Sequence, residues 1–293
     1  MKSAVVAIIG RPSAGKSTFL NTATGEMVSI VSAAPQTTRN AIRGIVNTDA
    51  GQLVFVDTPG YHDSDKKMNL KMRGIVADLL DSSDAVLYVI DSTRSCGDEE
   101  RMIAQLVRPH AEKLVVAVNK TDSPASRPES SKSFVRESIP GLPEERVAAV
   151  SAKDGTGIDG VLGSLYGLAP EGEAMYGEEF YTDQEVDFRI AEVIRGQAIS
   201  RLEQEIPHCL YVQIADLEVR SPGKMWCRAF IVVEKESQKG IVIGKGAQMI
   251  KTIRVESIKQ LRKIFDSKID LDVQVKVEKN WRQKDAVLGR LVR

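Results

Sequence analysis

Gly10-Arg-Pro-Ser-Ala-Gly-Lys-Ser-Thr18 is the stretch of sequence that decides the fold. The β-branched run Val5–Ile9 directly before it predicts a buried parallel strand, and Thr18–Asn21 predicts the first turn of a helix. A strand, a loop bounded by Gly10 and Gly15, and Lys-Ser at a helix start form the context that a phosphate-binding P-loop requires. The stretch therefore predicts an α/β domain with a phosphate-binding loop after its first strand.

The chemistry of such a loop comes from its backbone and from two side chains. Glycines let the backbone turn so that its amide N–H groups surround the phosphates. We expect the Lys16 ammonium to reach the β and γ phosphates and the Ser17 hydroxyl to ligate Mg²⁺. The alternative, a chance glycine turn between a strand and a helix, stays open on this stretch alone.

Length and composition are those of an ordinary globular protein. A chain of 293 residues, 42% apolar and 27% charged, predicts two domains, with one large α/β domain as the alternative. Cys96, Cys209 and Cys227 are far apart and form no Cys-x-x-Cys pair, which argues against a disulfide framework or a zinc site and fits a reducing compartment. The N-terminal apolar run is too short for a signal peptide. We therefore expect a cytoplasmic protein.

The formal net charge is zero, but the charges are unevenly placed. Residues 224–293 hold 17 Lys and Arg against 8 Asp and Glu, a net charge of +9, so the remainder of the chain carries −9. A basic C-terminal third indicates a polyanionic partner, most often a nucleic acid. The alternative is a solvated helix face.

A second phosphate motif, Asp57-Thr-Pro-Gly60, follows the predicted strand Leu53–Val56. The carboxyl end of a buried strand is where an α/β sheet presents its ligand-binding groups. Asp57 lies 40 residues after Ser17, and its carboxylate is suited to the Mg²⁺ shell, while the Gly60 amide is suited to a γ-phosphate. By itself this motif is an ordinary turn. After a P-loop it supports a nucleoside triphosphate site.

Two further motifs identify the base. Asn119-Lys-Thr-Asp122 follows the predicted strand Leu114–Val118, and the Asp122 carboxylate can accept hydrogen bonds from guanine N1–H and N2–H₂, which adenine lacks; it therefore selects GTP over ATP. Asn119 and Lys120 would brace the base and the P-loop. The backbone of Ser151-Ala-Lys153 can meet guanine O6. Four motifs in order, each at a strand end, predict a doubly wound, mostly parallel sheet.

These motifs, with Pro35-Gln-Thr-Thr-Arg39 and Tyr61-His62, resemble the Era family of bacterial ribosome-assembly GTPases. The resemblance implies that Thr38 closes on Mg²⁺ and the γ-phosphate in the GTP state. It gives Lys16, Thr38 and Gly60 as catalytic residues and Ser17, Thr38 and Asp57 as metal ligands. The expected nucleotide-binding residues are Gly10, Arg11, Pro12, Ser13, Ala14, Gly15, Lys16, Ser17, Thr18, Asp57, Thr58, Pro59, Gly60, Asn119, Lys120, Asp122, Ser151, Ala152 and Lys153.

The chain departs from the common pattern at several positions. Tyr61 stands where many GTPases keep a water-orienting Gln, a substitution that the Era-like proteins share, so we expect slow intrinsic hydrolysis. Ser13 stands where the family usually carries an Asn associated with potassium binding, which leaves potassium dependence open. Ala34 and Ala41 replace residues that are usually basic.

We assign residues 1–170 to the GTPase domain, 171–180 to a linker and 181–293 to a second domain. The second domain is predicted to contain one long amphipathic helix from Val186 to Ile206, two strands, a helical region and a last strand. Its glycine loop, Gly244-Lys-Gly-Ala247, opens a helix and offers N–H groups to a phosphate.

The glycine loop resembles the Gly-x-x-Gly loop of a type-2 KH domain, although Ala247 replaces the last glycine. We therefore predict a smaller α+β, type-2 KH-like domain that binds single-stranded RNA. Lys276, Lys279 and Arg282 extend the basic surface; Trp281 fits either that surface or the core. The expected RNA-binding residues are Gly244, Lys245, Gly246, Ala247, Lys251 and Arg254.

The resemblance implies that the partner is 16S ribosomal RNA in the small ribosomal subunit during its maturation, and that the chain is a monomer. Two other functions stay open at this point. One is a signalling GTPase, or one peripheral to the inner face of the cell membrane, whose basic domain binds lipid or protein. The other is an ATPase, against which only Asp122 argues.

Overall fold

A computed structural model describes residues 1–31, 41–58, 67–203 and 205–291 of the chain. Within these ranges the chain forms two compact units. The first contains residues 1–29 and 41–183, and the second contains residues 184–291 together with residues 30 and 31. Residues 171–183, which include the segment that we assigned to the linker, therefore belong to the first unit.

The first unit alternates strands with helices. Its six strands are joined in the order β2-β3-β1-β4-β5-β6, and every neighbouring pair is parallel except the hairpin pair β2 and β3. The doubly wound, mostly parallel sheet is thus confirmed. The elements are β1 (Lys2–Ile9), α1 (Lys16–Thr24), β2 (Ile42–Thr48), β3 (Gly51–Asp57), α2 (Lys67–Ser82), β4 (Ala85–Asp91), α3 (Asp98–Val107), β5 (Leu114–Asn119), α4 (Pro128–Ser138), β6 (Val147–Ala149) and α5 (Ile158–Leu168).

Burial explains why the central strands are continuous apolar runs. All residues of β3, β4 and β5 are buried, as expected for strands covered on both faces. Helices α2, α3 and α4 share one apolar core with β1, β4 and β5. Helix α1 packs near β3, where Phe19 and Phe55 make an edge-to-face ring contact at 6.1 Å. Ligand-binding residues are expected at the carboxyl ends of the parallel strands.

The second unit is a three-stranded sheet with helices. Strand order is β7-β8-β9, with β7 and β8 antiparallel and β8 and β9 parallel. This confirms the predicted α+β domain. Its elements are α6 (Val186–Ile199), β7 (Tyr211–Ser221), β8 (Lys224–Val233), α7 (Glu236–Ile243), α8 (Gln248–Ile264), β9 (Lys268–Val277) and α9 (Asp285–Leu291).

Two sequence expectations for the second unit are settled by packing. The long helix predicted up to Ile206 ends at Ile199, and the prediction was wrong because Leu202 and Ile206 are buried without being part of that helix. Helical spacing of apolar residues does not distinguish a residue buried on a helix face from one buried in the segment after the helix. Trp281 is fully buried, donates from Nε1 to the Cys209 carbonyl at 3.1 Å, and belongs to the core rather than to the basic surface.

Residues 170–183 pack against β2 and β3 of the first unit. Gln52 of β3 is fully buried; its Oε1 accepts from the amides of Met175 and Tyr176 at 2.8 and 3.0 Å, and its Nε2 donates to the Tyr176 carbonyl at 2.9 Å. The amide of Ile45 donates to the Tyr181 carbonyl at 2.9 Å. We call residues 170–183 the strap. Within the described ranges, none of the helices has the length and apolarity that crossing a bilayer requires.

Candidate nucleotide site and candidate nucleic-acid loop

The P-loop has a backbone that only glycine allows at two positions. Gly15 lies at φ +100°, and a Cβ there would overlap the Asn119 side chain. A Cβ at Gly10 would overlap the Val89 carbonyl oxygen. These close approaches, rather than flexibility, require the two glycines at the ends of the loop.

Lys16 is the first residue of α1 and is buried within the loop. Its Nζ donates to the carbonyls of Gly10 and Arg11, each at 3.1 Å. Burial lowers the pKa of Lys16, while the carboxylates of Asp57 and Glu100 act in the opposite direction. The ammonium therefore lies inside the P-loop, hydrogen-bonded to backbone carbonyls, and an anionic phosphate bound in the loop could replace these carbonyls as its partner.

The predicted metal ligands of the described region are brought together at the end of β3. Asp57 is fully buried, and its Oδ2 accepts from Ser17 Oγ at 2.6 Å and from Ser29 Oγ at 2.8 Å. Oxygen donors of this kind suit Mg²⁺. The sequence reasoning missed Ser29, a hydroxyl-bearing residue that lies shortly before the motif Pro35-Gln-Thr-Thr-Arg39. The Thr58 side chain is not part of this hydroxyl and carboxylate cluster, because its hydroxyl donates to the Ile8 carbonyl at 2.6 Å.

Asn119 joins three loops. Its Nδ2 donates to the Ala14 carbonyl at 2.9 Å, and its Oδ1 accepts from the Ala152 amide at 2.9 Å. Thr22 of α1 donates to the Ala152 carbonyl at 2.6 Å. The P-loop, the Asn-Lys-x-Asp loop and the Ser-Ala-Lys loop are therefore one hydrogen-bonded assembly.

Asp122 and Ser151 meet at the edge of this assembly. Ser151 Oγ donates to Asp122 Oδ1 at 3.1 Å, and Lys153 Nζ lies 3.8 Å from the other carboxylate oxygen. The geometry places a carboxylate acceptor beside the backbone of residues 151–153, as guanine recognition needs.

Lys120 has a partner that the sequence reasoning did not name. Its Nζ lies 2.7 Å from Asp91 Oδ2, whereas the side chain of Asn119 is hydrogen-bonded to the P-loop. Burial raises the pKa of Asp91, but the hydrogen bonds from Lys120 and Thr93 outweigh burial and hold that pKa below its usual range. Lys120 thus fixes the end of β4 to the start of the Asn-Lys-x-Asp loop.

The other predicted residues divide into those within and those beyond the described ranges. Pro12 is half-buried and Ser13 is exposed, in the left-handed region at φ +62°. Thr18 accepts a hydrogen bond from Thr22 Oγ1 at its carbonyl. The predictions for Thr38, Pro59 and Gly60, and with them Ala34, the 35–39 motif and the Tyr61-His62 pair, lie outside the described residues.

The glycine loop of the second unit connects α7 to α8. Gly244, Gly246 and Ala247 all have positive φ, at +73°, +57° and +58°. A Cβ at Gly244 would come within 2.7 Å of Met249. Ala247 directly precedes α8 and holds a left-handed conformation that costs an L-residue about 1–2 kcal/mol. Glycine is the residue that this position favours.

The predicted basic residues around this loop are not equivalent. Lys245 and Lys251 are exposed, and within the described part of the chain no acidic side chain pairs with either. Arg254 is hydrogen-bonded through Nε to the Leu271 carbonyl of β9. Arg282 pairs with Glu234 at 2.5 Å. Lys245 and Lys251 thus differ from Arg254 and Arg282, whose side chains are bonded within the second unit.

Comparison with family models gives one match for each unit. The model described as a 50S ribosome-binding GTPase matches residues 5–120, and the model described as a KH domain matches residues 205–282. The first match covers the P-loop, Asp57 and Asn119. The second covers the glycine loop and all three strands of the second sheet.

Curated relatives and solved structures match over the whole chain. GTPase Era of Treponema denticola is 56% identical over 99% of each chain. An Era variant of Aquifex aeolicus, solved with GDP.AlF4-, is 29% identical, with a TM-score of 0.93 over 99% of each chain. Era solved with MgGDPNP and nucleotides 1506–1542 of 16S ribosomal RNA gives the same TM-score and identity over 99% of this chain and 98% of the other. With 56% identity to a curated Era over nearly the whole chain and the same fold as solved Era structures, the chain belongs to the Era family of GTPases.

Proposed function

We propose that this chain is a Mg²⁺-dependent GTPase that uses its nucleotide state to control binding of 16S ribosomal RNA by its KH domain, and that it acts in maturation of the small ribosomal subunit. The observation that carries the proposal is the presence of both parts in one chain. A relative with the same fold over its whole length was solved with a Mg²⁺-bound GTP analogue and a 16S fragment together.

The nucleotide half of the proposal rests on the assembly around Asn119. Lys16 and the P-loop amides would hold the β and γ phosphates, and Asp122 would select guanine. Ser17 and Asp57 would hold Mg²⁺, which neutralises charge on the phosphates when bound. We propose Lys16, Thr38 and Gly60 as the catalytic set. With Tyr61 in place of a glutamine, hydrolysis is expected to be slow in the absence of an activator.

The RNA half rests on the loop at residues 244–247. The start of α8, where a helix dipole favours an anion, and the exposed cations Lys245 and Lys251 suit a phosphodiester backbone. We further propose that the chain acts in the cytoplasm as a monomer. Potassium dependence is open because Ser13 replaces the usual Asn.

Base selection is tested with Asp122→Asn. The variant should lose preference for GTP over XTP by about 100-fold or more, because the Asn amide cannot accept the two guanine donors. Asp159→Asn, an exposed carboxylate in the first turn of α5, is the matched control. Competition binding against labelled GDP measures the preference. An unchanged preference in Asp122→Asn would refute the guanine assignment.

RNA binding is tested with the full-length chain and a 3′ segment of 16S ribosomal RNA. Lys245→Ala should weaken binding about tenfold and reduce the slope of log affinity against log salt by about one. Lys259→Ala is the control: Lys259 lies in the following helix α8 and pairs with Glu256 at 2.7 Å. This variant should leave the affinity and the salt slope nearly unchanged. Binding should also differ between GDP and a non-hydrolysable GTP analogue. Preference for anionic vesicles over RNA would favour a membrane-peripheral role instead.

A further inference from the structure

Arg11, the second residue of the P-loop, points its side chain into the protein rather than toward the nucleotide site. The residue is 4% exposed. Its Nε forms an ion pair with Oε2 of Glu100, and its Nη1 donates to the Ser95 carbonyl at 3.3 Å. Glu100 lies in the first turn of α3 and is fully buried. The loop is thus tied by a buried charge pair to a helix outside the nucleotide motifs.

Glu100 is held in turn by the central sheet. The Tyr88 hydroxyl of β4 donates to Glu100 Oε1 at 2.5 Å. Burial raises the pKa of Tyr88 well above its usual value, and the adjacent Glu100 carboxylate adds to the effect, so the hydroxyl keeps its proton and its role as donor. The carboxylate of Glu100 is therefore fixed by β4 on one side and by the P-loop on the other.

Stability alone does not account for this arrangement. Buried ion pairs are often no more stabilising than apolar side chains of the same size, because desolvation offsets the attraction. The pair is also incompletely satisfied among the described residues: Nη2 of Arg11 is buried without a hydrogen-bond acceptor, and Nε and Glu100 Oε2 form an ion pair that lacks the geometry of a hydrogen bond. An apolar pair would give comparable packing at lower desolvation cost. A geometric role explains the arrangement better.

The backbone of Arg11 shows what that role is. Its carbonyl accepts from Lys16 Nζ at 3.1 Å and from the Ala14 amide at 3.2 Å. A side chain fixed at Glu100 therefore fixes the peptide group that orients the phosphate-binding lysine and one turn of the cradle. Displacing this peptide by a fraction of an ångström would misplace both.

We propose that Glu100 is a positioning residue for nucleotide binding, which acts through Arg11 to hold the P-loop and Lys16 in the conformation that receives phosphates. The inference rests on the proposed nucleotide site and deepens it. The competing explanation is that the pair only stabilises the packing of α3 on the sheet.

Three substitutions on one helix separate the two explanations. Glu100→Gln keeps the shape and the acceptor for Tyr88 but removes the charge that holds Arg11. Glu99→Gln removes an exposed charge from the same turn. Ile103→Val removes a methylene group from the buried face of α3, so it lowers the stability of the protein without changing the Arg11–Glu100 pair. Each full-length variant is measured by thermal unfolding, by titration with a fluorescent GDP analogue and by steady-state GTP hydrolysis.

We expect Glu100→Gln to weaken GDP binding about tenfold and to raise KM for GTP by the same factor, with kcat changed less than about twofold, because the cradle contacts phosphates shared by ground and transition states. Glu99→Gln should match the parent protein throughout. Ile103→Val should lower the melting temperature without changing GDP affinity.

The inference is overturned if Glu100→Gln lowers the melting temperature as Ile103→Val does but binds GDP as tightly as the parent. If Glu100→Gln does not fold, Arg11→Lys decides, since it keeps the charge but loses the guanidinium fork. Unchanged GDP affinity in Arg11→Lys would then overturn the inference. Failure of the parent protein itself to bind GDP would instead refute the nucleotide site, and this inference with it.

Discussion

Ala247→Gly should stabilise the second unit, although it removes a methyl group. Ala247 lies at φ +58° and ψ +22°, within the left-handed region. That conformation costs an L-residue about 1–2 kcal/mol and costs glycine nothing comparable. Glycine also makes the unfolded chain more flexible, and this loss of unfolded-state restriction offsets about 0.4–1 kcal/mol of that gain. The net expectation is a gain of about 0.5–1 kcal/mol in the free energy of unfolding.

The neighbouring glycines provide two controls with opposite signs. Gly246 has φ +57°, and a Cβ placed there would meet no atom within 4 Å, so Gly246→Ala should destabilise by about 0.5–1 kcal/mol through the backbone alone. Gly240 lies within α7 with equally open space and an ordinary helical backbone. Gly240→Ala should therefore stabilise, because alanine is the better helix former.

The assay is urea unfolding of the full-length chain followed by tryptophan fluorescence. Both tryptophans of the chain, Trp226 and Trp281, lie in the second unit, so the signal reports that unit selectively. The slope of free energy against urea should be the same in all variants. A neutral or destabilising Ala247→Gly, alongside a harmless Gly246→Ala, would contradict the backbone-strain explanation.

Three further predictions concern the first unit. Gln52→Leu should lower its stability by about 2–3 kcal/mol, since the strap loses its buried hydrogen-bond partner; limited proteolysis near residue 176 reports the loss, and resistance equal to the parent would contradict it. Lys16→Met should raise the melting temperature of the nucleotide-free protein, because burial of the ammonium is unfavourable, while GDP no longer protects the variant against heat; retained GDP protection would contradict the P-loop assignment. Asn119→Ala should weaken GDP binding about tenfold or more, as measured by fluorescence titration, because it separates the loops of Ala14 and Ala152; an unchanged affinity would show that these loops hold their positions independently.

Much of the fold and of the nucleotide site could be predicted from the sequence. Buried parallel strands are continuous apolar runs, so Ala85–Asp91 could be located by composition, and Asp57 and Asn119 by their place directly after such runs. Each of these residues is marked by a motif of a few residues at the end of a strand, and the parallel sheet brings those strand ends together.

The contacts missed by sequence reasoning involve residues that no motif marks. Ser29 meets Asp57 across 28 positions, and Glu100 meets Arg11 from a separate helix. A single charged residue such as Glu100, in an acidic first turn, looks like an exposed helix-start carboxylate, and only packing shows that it is buried. Apolar periodicity likewise could not show that the helix ends at Ile199, because the next apolar residues are buried in another conformation.

The strap has a practical consequence for work with fragments. Strand β2 is an edge strand of its sheet. An uncovered edge strand offers unpaired N–H and C=O groups to other molecules. The strap meets these groups: the Thr182 hydroxyl donates to the Arg43 carbonyl at 2.7 Å, and the Ile45 amide donates to the Tyr181 carbonyl at 2.9 Å. A GTPase fragment cut at residue 170 would expose this edge and self-associate, whereas one that extends to residue 183 keeps the edge covered.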